Sequence, residues 1–183
     1  MLAIETTRLI LAPTPLDVLK ARLERDDIVA DVPIVVERPG RRVAETLRVR
    51  FPPEWPGDAL DLFPLWIAQR ELRPDQDEWG GTMIDRTKRL AVGQMNCTSP
   101  PDRHGAVELG YGVNPSYYNR GYATEMARAL VDWALARPDV THVTAECLED
   151  NNASIRVLEK SGFRRVGRRT DEEGPLILWE RAR

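Results

Sequence analysis

The feature that most constrains this chain is a succession of three elements between residues 105 and 149. "AVELGYGVN" has the composition of a strand, "YATEMARALVDWALARP" that of a helix and "VTHVTAECLE" that of a second strand. Ala123, Met126, Ala127, Leu130 and Ala134 recur at i, i+3, i+4, i+7 and i+11, an apolar stripe that must lie against a sheet, and Pro138 follows its end. Strand, helix and strand in succession place the two strands parallel in one sheet, with the crossover expected to be right-handed. "EWGGTMIDR" and "RLAVGQMNC", joined by "TK", precede this unit as members of an antiparallel meander. The helix "NNASIRVLEKSG" and the strands "FRRVGRRT" and "PLILWERA", set around "DEEG", follow it. A mixed α/β layer is the expected class.

The N-terminal half is less regular. "TTRLILAPTP" reads as a first strand, with Asp17 placed to cap the helix "VLKARLERD". Residues 31–57 are rich in proline and charge and predict loops around one short helical piece near Val43 to Arg50. "DALDLFPLWIAQREL" predicts a helix with Pro64 in its first turns. Trp55, Trp66 and Trp79 are expected in the core or in a groove wall.

With 183 residues, 42% of them hydrophobic, the chain can bury one sizeable core, so a single domain over residues 1–183 is expected. A net charge of −3 gives no overall basic field for nucleic acid, and the arginines of "FRRVGRR" read as a solvated strand end. Pro13 and Pro15 break the first apolar run, which therefore fits neither a signal peptide nor a membrane span. A soluble, cytoplasmic protein is expected. Cys97 and Cys147, like His104 and His142, lie far apart, so neither a disulfide framework nor a metal site is implied. No G-x-x-x-x-G-K-S/T is present, which argues against a phosphate-loop nucleotidase.

The chemistry should gather at the start of the central helix. A helix start exposes unpaired N–H groups and about half a positive charge, and Gly121 lets backbone approach a ligand without a Cβ in the way. Gly110 and Gly112 lie inside the preceding strand, where glycine marks a bulge or a close approach, and Pro115 ends the ladder. A strand opening toward its carboxyl end and leading into such a turn makes a crevice at the tip of the sheet, suited to an elongated, phosphorylated ligand.

"ELGYGVNPSYYNRGYATEMARALVDWA" followed by "TAECLEDNNASIRVLEKSGF" resembles the acetyl-coenzyme A site of the GNAT superfamily of N-acetyltransferases, in its Rim branch, and "ETTRLIL" resembles that branch's first strand. The resemblance covers roughly residues 105–165 and the first dozen. It implies a mixed, mostly antiparallel central sheet of about seven strands with helices on both faces, and two splayed strands forming the coenzyme A cleft. The family's Q/R-x-x-G-x-G/A loop, which wraps the coenzyme pyrophosphate, falls on Tyr118, Asn119, Arg120, Gly121, Tyr122 and Ala123, with Thr124 the next amide. Its first position is tyrosine here, a departure that backbone binding tolerates. Tyr111, Gly112 and Val113 match the strand whose main chain pairs with pantetheine. Asn151 and Ser154 match an N-x-x-S that contacts the pantetheine arm, and Arg156 is expected at the surface.

The implied reaction moves an acetyl group from acetyl-coenzyme A to a primary amine by direct attack in a ternary complex. An α-amine, with a reference pKa near 8, is easier to deprotonate than lysine near 10.4, which favours N-terminal acceptors. The N–H of Gly112 or Val113 could polarise the carbonyl. Glu146, five residues before Asn151, is the preferred base and Glu108 the second; strand alternation sets Glu146 opposite Ala145 and Cys147. Some relatives carry a general-acid tyrosine seven residues after the helix asparagine, but Leu158 stands there. Ser154 could support the leaving thiolate, with Tyr118 a remoter candidate. Residues 31–80 should form much of the acceptor groove, acidic if its substrates are cationic. Two rivals share the fold: a non-catalytic acyl-coenzyme A-binding module, and an acyltransferase for a small amine such as an antibiotic or polyamine, or one using succinyl. Homodimers are common in the Rim branch.

Overall fold

The computed structural model describes residues 2–73, 79–98 and 100–183. In chain order the elements are β1 (Ile4–Glu5), β2 (Leu9–Ala12), α1 (Leu16–Arg22), β3 (Ile28–Arg38), β4 (Arg41–Phe51), a 3-10 turn (Gly57–Leu62) running into α2 (Phe63–Leu72), β5 (Gly80–Asp85), β6 (Leu90–Cys97) and β7 (Ala106–Val113). A second 3-10 turn (Pro115–Tyr117) precedes α3 (Tyr122–Leu135), β8 (His142–Leu148), α4 (Asn152–Lys160), β9 (Arg164–Asp171) and β10 (Gly174–Ala182). The sheet runs β1-β2-β5-β6-β7-β8-β10-β9, with the β3–β4 hairpin joined to it through Arg50 and Leu90. Its parallel pairs are β4–β6 and β7–β8; the rest are antiparallel.

Strand alternation sends side chains to two cores, one on each face. Leu9, Leu11 and Met83 pack with Met126, Ala127, Leu130 and Ala134 of α3 and Leu158 of α4. Ile10, Ala12 and Ile84 pack instead with Val18 and Leu19 of α1 and Phe63 of α2. The predicted stripe of α3 is thus the buried one, except that Ala123 is half-buried at the cleft, and Tyr122, Val131 and Leu135 join it. Trp55 and Trp79 are core residues, while Trp66 walls the cleft.

Residues 31–57 depart from expectation. They hold no helix: most belong to an eleven-residue by eleven-residue hairpin, registered from Ile28–Phe51 to Arg38–Arg41. Val32, Ile34 and Val36 of β3 and Leu47, Val49 and Phe51 of β4 fill the second core at alternate positions, with Val32 paired to Leu47 and Ile28 to Phe51. Burying that face outweighs the prolines, since Pro33 points outward and Pro39 precedes the turn glycine Gly40. With this hairpin and the two-residue β1, the sheet has ten strands rather than about seven. Asp17 also differs: α1 starts at Leu16 behind Pro15, and the Asp17 carboxylate accepts from Val18 N at 3.0 Å inside the first turn. The expected strand at "EWGGTMIDR" begins at Gly80; its Glu78 lies outside the described residues.

α4 ends and begins as its sequence dictates. Asn151 Oδ1 accepts from Ser154 N at 3.0 Å as N-cap. Gly162, at φ +84°, completes a Schellman motif in which Phe163 N donates to Leu158 O and Gly162 N to Glu159 O. β9 is an exposed edge strand whose arginines pair with Glu149, Glu159 and Glu146.

Candidate active site

β7 and β8 pair only at Ala106–His142, Val107–Val143 and Glu108–Thr144, and then part. The resulting fork is the head of a cleft of about 850 Å³. Asn114 N donates to Val92 O and Glu108 O accepts from Thr98 N, so even-numbered backbone groups of β7 face β6. By the alternation of an antiparallel ladder, the amides of Tyr111 and Val113 face the open fork. Gly110 and Gly112 line the cleft, and a Cβ on either would meet only ordinary van der Waals neighbours, Thr98 Cγ2 at 3.8 Å and Pro56 O at 3.9 Å. Packing within the chain therefore does not require these glycines; a side chain there would enter the cleft.

At the next corner Asn119 (φ 59°) and Gly121 (φ 76°) both take the left-handed conformation, alternating with right-handed or extended neighbours. Such alternation turns successive N–H groups to one side and makes an anion-binding concavity. Asparagine and glycine are the residues that adopt it at least cost. Among the described residues nothing accepts from the amides of residues 119–124; the first helical bond is Glu125 N to Gly121 O. The loop is propped from beneath. Tyr117 and Tyr122 stack at 5.9 Å, Tyr122 Oη donates to buried Asp85 Oδ2 at 2.8 Å, and Arg120 and Lys88 lie over the Tyr117 ring at 5.0 and 5.1 Å. Burial would raise the Asp85 carboxyl, but the Lys88 and Thr87 amides and the Tyr122 hydroxyl outweigh it and hold it below the ordinary range.

The cleft brings together Tyr111, Gly112, Val113, Tyr118, Asn119, Gly121, Tyr122, Ala123, Thr124, Asn151 and Ser154; Arg120 lies on the loop but not on its inner wall. Tyr111 spans the fork, its hydroxyl donating to Ser154 O at 3.4 Å, and burial pushes its pKa up to about 12. Arg156 also lines the cleft. Tyr118 is 56% exposed and Leu158 fully buried.

Neither carboxylate proposed as base lines the cleft. Both lie on the sheet face of Gly110 and Gly112, opposite Val107, Leu109, Ala145 and Cys147, which are buried in the first core. Glu146 is engaged, accepting from Arg169 Nε at 2.9 Å. Glu108 stands at the fork itself, and among the described residues its carboxylate has no hydrogen-bond partner. Partial burial, and secondarily Glu146, raise its pKa.

The facing wall of the cleft is built from Pro56, Asp58, Leu62 and Trp66, with Gln94 and Asn96 of β6. Of the segment 31–80 only residues 56–66 contribute among those described, and residues 74–78 lie outside them. Buried Arg22 pins this wall, donating to Trp55 O and Pro53 O, both at 2.7 Å. An arginine in an ordinary amphipathic helix gave no sequence signal for that role.

A family model described as the acetyltransferase (GNAT) domain matches residues 40–164. The chain belongs to the GNAT acetyltransferase family. It is similar to the uncharacterized N-acetyltransferase YjdG of Bacillus subtilis, 32% identical over 60% of this chain and 67% of that one. Two further B. subtilis relatives are matched over 35% and 49% of their own length. An aminoglycoside N(6')-acetyltransferase type 1 of Klebsiella pneumoniae is 34% identical over 39% of this chain and 35% of its own. RimL, a ribosomal L7/L12 α-N-protein acetyltransferase solved with coenzyme A, has the same fold, with a TM-score of 0.68 at 14% identity over 98% of this chain and 97% of that one. Fold class and enzyme class, an N-acetyltransferase, are thus those expected from the sequence. Among the described residues no helix is long and apolar enough to cross a membrane.

Proposed function

We propose that this GNAT N-acetyltransferase is of the Rim type and uses acetyl-coenzyme A to acetylate the α-amine of a peptide or protein N-terminus. The observation that carries the reading is the set of unpaired amides at residues 119–124 at the head of the forked cleft. A diphosphate fits that concavity, and the strip beside Gly110 and Gly112 leaves room for a pantetheine chain along β7. The bound coenzyme supplies an activated thioester. Val113 N–H, turned into the fork, is placed to polarise a carbonyl there.

Glu108 is the base in this reading, ahead of Glu146. Its position at the fork, its open carboxylate and its raised pKa suit proton removal from an amine, directly or through a water, whereas Glu146 is held by Arg169. Tyr111 lies on the opposite side of the fork and stays protonated far above neutral pH, so its hydroxyl can offer a hydrogen bond to the leaving thiolate, which takes its proton from solvent, with Ser154 beside it. Among the described cleft-lining residues Asp58 is the sole carboxylate, and Trp66 and Leu62 form an apolar wall. That favours a single amine beside an apolar group over a polycation. Cytoplasmic residence and homodimer assembly complete the proposal.

The aminoglycoside acetyltransferase relative supports a second reading, transfer to a small-molecule amine. A panel of N-terminal peptides, spermidine and kanamycin, offered with acetyl- or succinyl-coenzyme A and followed by thiol release, separates the two. Turnover of peptides with an apolar first residue is expected. Coenzyme binding without turnover of any amine would leave a non-catalytic module, and failure to bind coenzyme A would sink both readings.

A further inference from the structure

"ETTRLIL" carries part of the family resemblance, yet none of its residues lines the cleft. Arg8 at its centre nonetheless has the densest set of contacts to the phosphate-binding corner. Its backbone N donates to Glu125 Oε1 at 2.9 Å, its Nε to Glu125 Oε2 at 2.6 Å and its Nη1 to Arg120 O at 2.8 Å. The guanidinium also lies 4.6 Å from the Tyr122 ring centre. Thr6 Oγ1 donates to Glu125 Oε1 at 2.6 Å, and Arg86 N, just past the end of β5, donates to Arg8 O at 2.9 Å, so the clamp is anchored to α3 and to the turn after β5.

We propose that Arg8 is a positioning residue that fixes the orientation of the Arg120–Gly121 peptide and thereby aims the Gly121 amide into the cleft. In a planar trans peptide the carbonyl and the following N–H point in opposite directions. Arg8 lies outside the cleft and draws the Arg120 carbonyl toward itself; the Gly121 N–H is turned the other way. Nothing inside the loop does this. The amides of Asn119, Arg120 and Gly121 have no acceptor among the described residues, and Gly121 permits either peptide orientation. Glu125 adds a second hold, since its N–H takes the Gly121 carbonyl while its carboxylate takes Arg8. An exposed ion pair alone would contribute little; the worth of this one lies in the carbonyl it holds.

This inference rests on the coenzyme reading above, and the experiment separates the two. Coenzyme A is titrated calorimetrically into wild type, Arg8→Ala and Arg8→Lys, with pantetheine, which lacks the diphosphate, as a competing probe. Arg8→Ala should weaken coenzyme A about tenfold and leave pantetheine within twofold, and it should raise KM for acetyl-coenzyme A more than it lowers kcat. Arg8→Lys keeps the charge but cannot hold Glu125 and the Arg120 carbonyl together, and should resemble Arg8→Ala. If Arg8→Ala does not fold, Glu125→Gln, which loosens the same clamp, should show the same contrast between coenzyme A and pantetheine. Wild-type binding with unchanged coenzyme affinity in the variants, or equal weakening of both probes, would overturn the role of Arg8. No heat with wild type would instead overturn the coenzyme reading.

Discussion

The two walls of the cleft are built in different ways. The wall that the proposed function gives to the coenzyme comes from two short segments of chain, residues 110–124 and 151–160, and what its first segment offers is backbone amides whose directions follow from local conformation. The facing wall, which the proposed function gives to the acceptor, is assembled at a distance. Its residues 56–66 are held in place by Arg22 of α1 and backed by the β3–β4 hairpin, whose buried face shares a core with α1 and α2. A site made of main chain tolerates changes of side chain, which is how Tyr118 fits at the start of a loop proposed to hold a diphosphate. The facing wall presents side chains instead, Asp58, Leu62 and Trp66 among them, so substitutions there are expected to change the acceptor more than the coenzyme.

The most severe way to break this contrast is Gly121→Trp. Any side chain at φ 76° costs about 1–2 kcal/mol of strain, and the indole would displace the Arg8 guanidinium, whose Nη2 would lie 3.5 Å from the new Cβ. Coenzyme A binding should fall below detection by calorimetry while the melting temperature drops only modestly; micromolar affinity in the variant would remove the loop from the site.

Next comes the base. Glu108→Gln should lower kcat about 100-fold with little change in coenzyme affinity, whereas Glu146→Gln should leave kcat within about threefold. The reverse order would hand the role to Glu146. The raised pKa of Glu108 also has a stability signature. The folded protein holds that proton more tightly than the unfolded chain, so stability is lost as pH rises from the ordinary carboxylate range through the raised value. Glu108→Gln should therefore melt higher than wild type at pH 7, with the gap closing near pH 4.

The smallest expected effect on chemistry is Arg22→Met. Losing its bonds leaves the carbonyls of Pro53 and Trp55 unpaired at a cost of roughly 1–3 kcal/mol each. The amine KM should rise about tenfold and the coenzyme KM stay put. A matching rise in both would mean that the two walls are one cooperative unit.

The coenzyme wall was legible because its signals are local. A period of 3.6 in α3, an Asn cap and a Gly C′ around α4, and paired glycines in β7 each act within a few residues. The hairpin was not, although a signal was present: "LRVRF" alternates strictly, and "RPGR" is a turn. Proline and charge density pointed to loops, and only burial against α1 and α2 makes strands of those residues. The ranking of the two carboxylates was equally hidden, because it turns on Arg169, 23 residues along the chain from Glu146.

By itself the sequence determined the strand-helix-strand unit, the direction of its apolar stripe and the corner where amides are left unpaired, since these depend on steric and hydrogen-bonding rules between near neighbours. Only the tertiary structure decided where β7 and β8 part, which carboxylate stands free at that fork, and that Arg8 and Arg22 each grip a carbonyl of a distant loop. Such contacts join residues separated by between 31 and 112 positions. No local propensity encodes them, because they exist only once two cores have formed on opposite faces of one sheet.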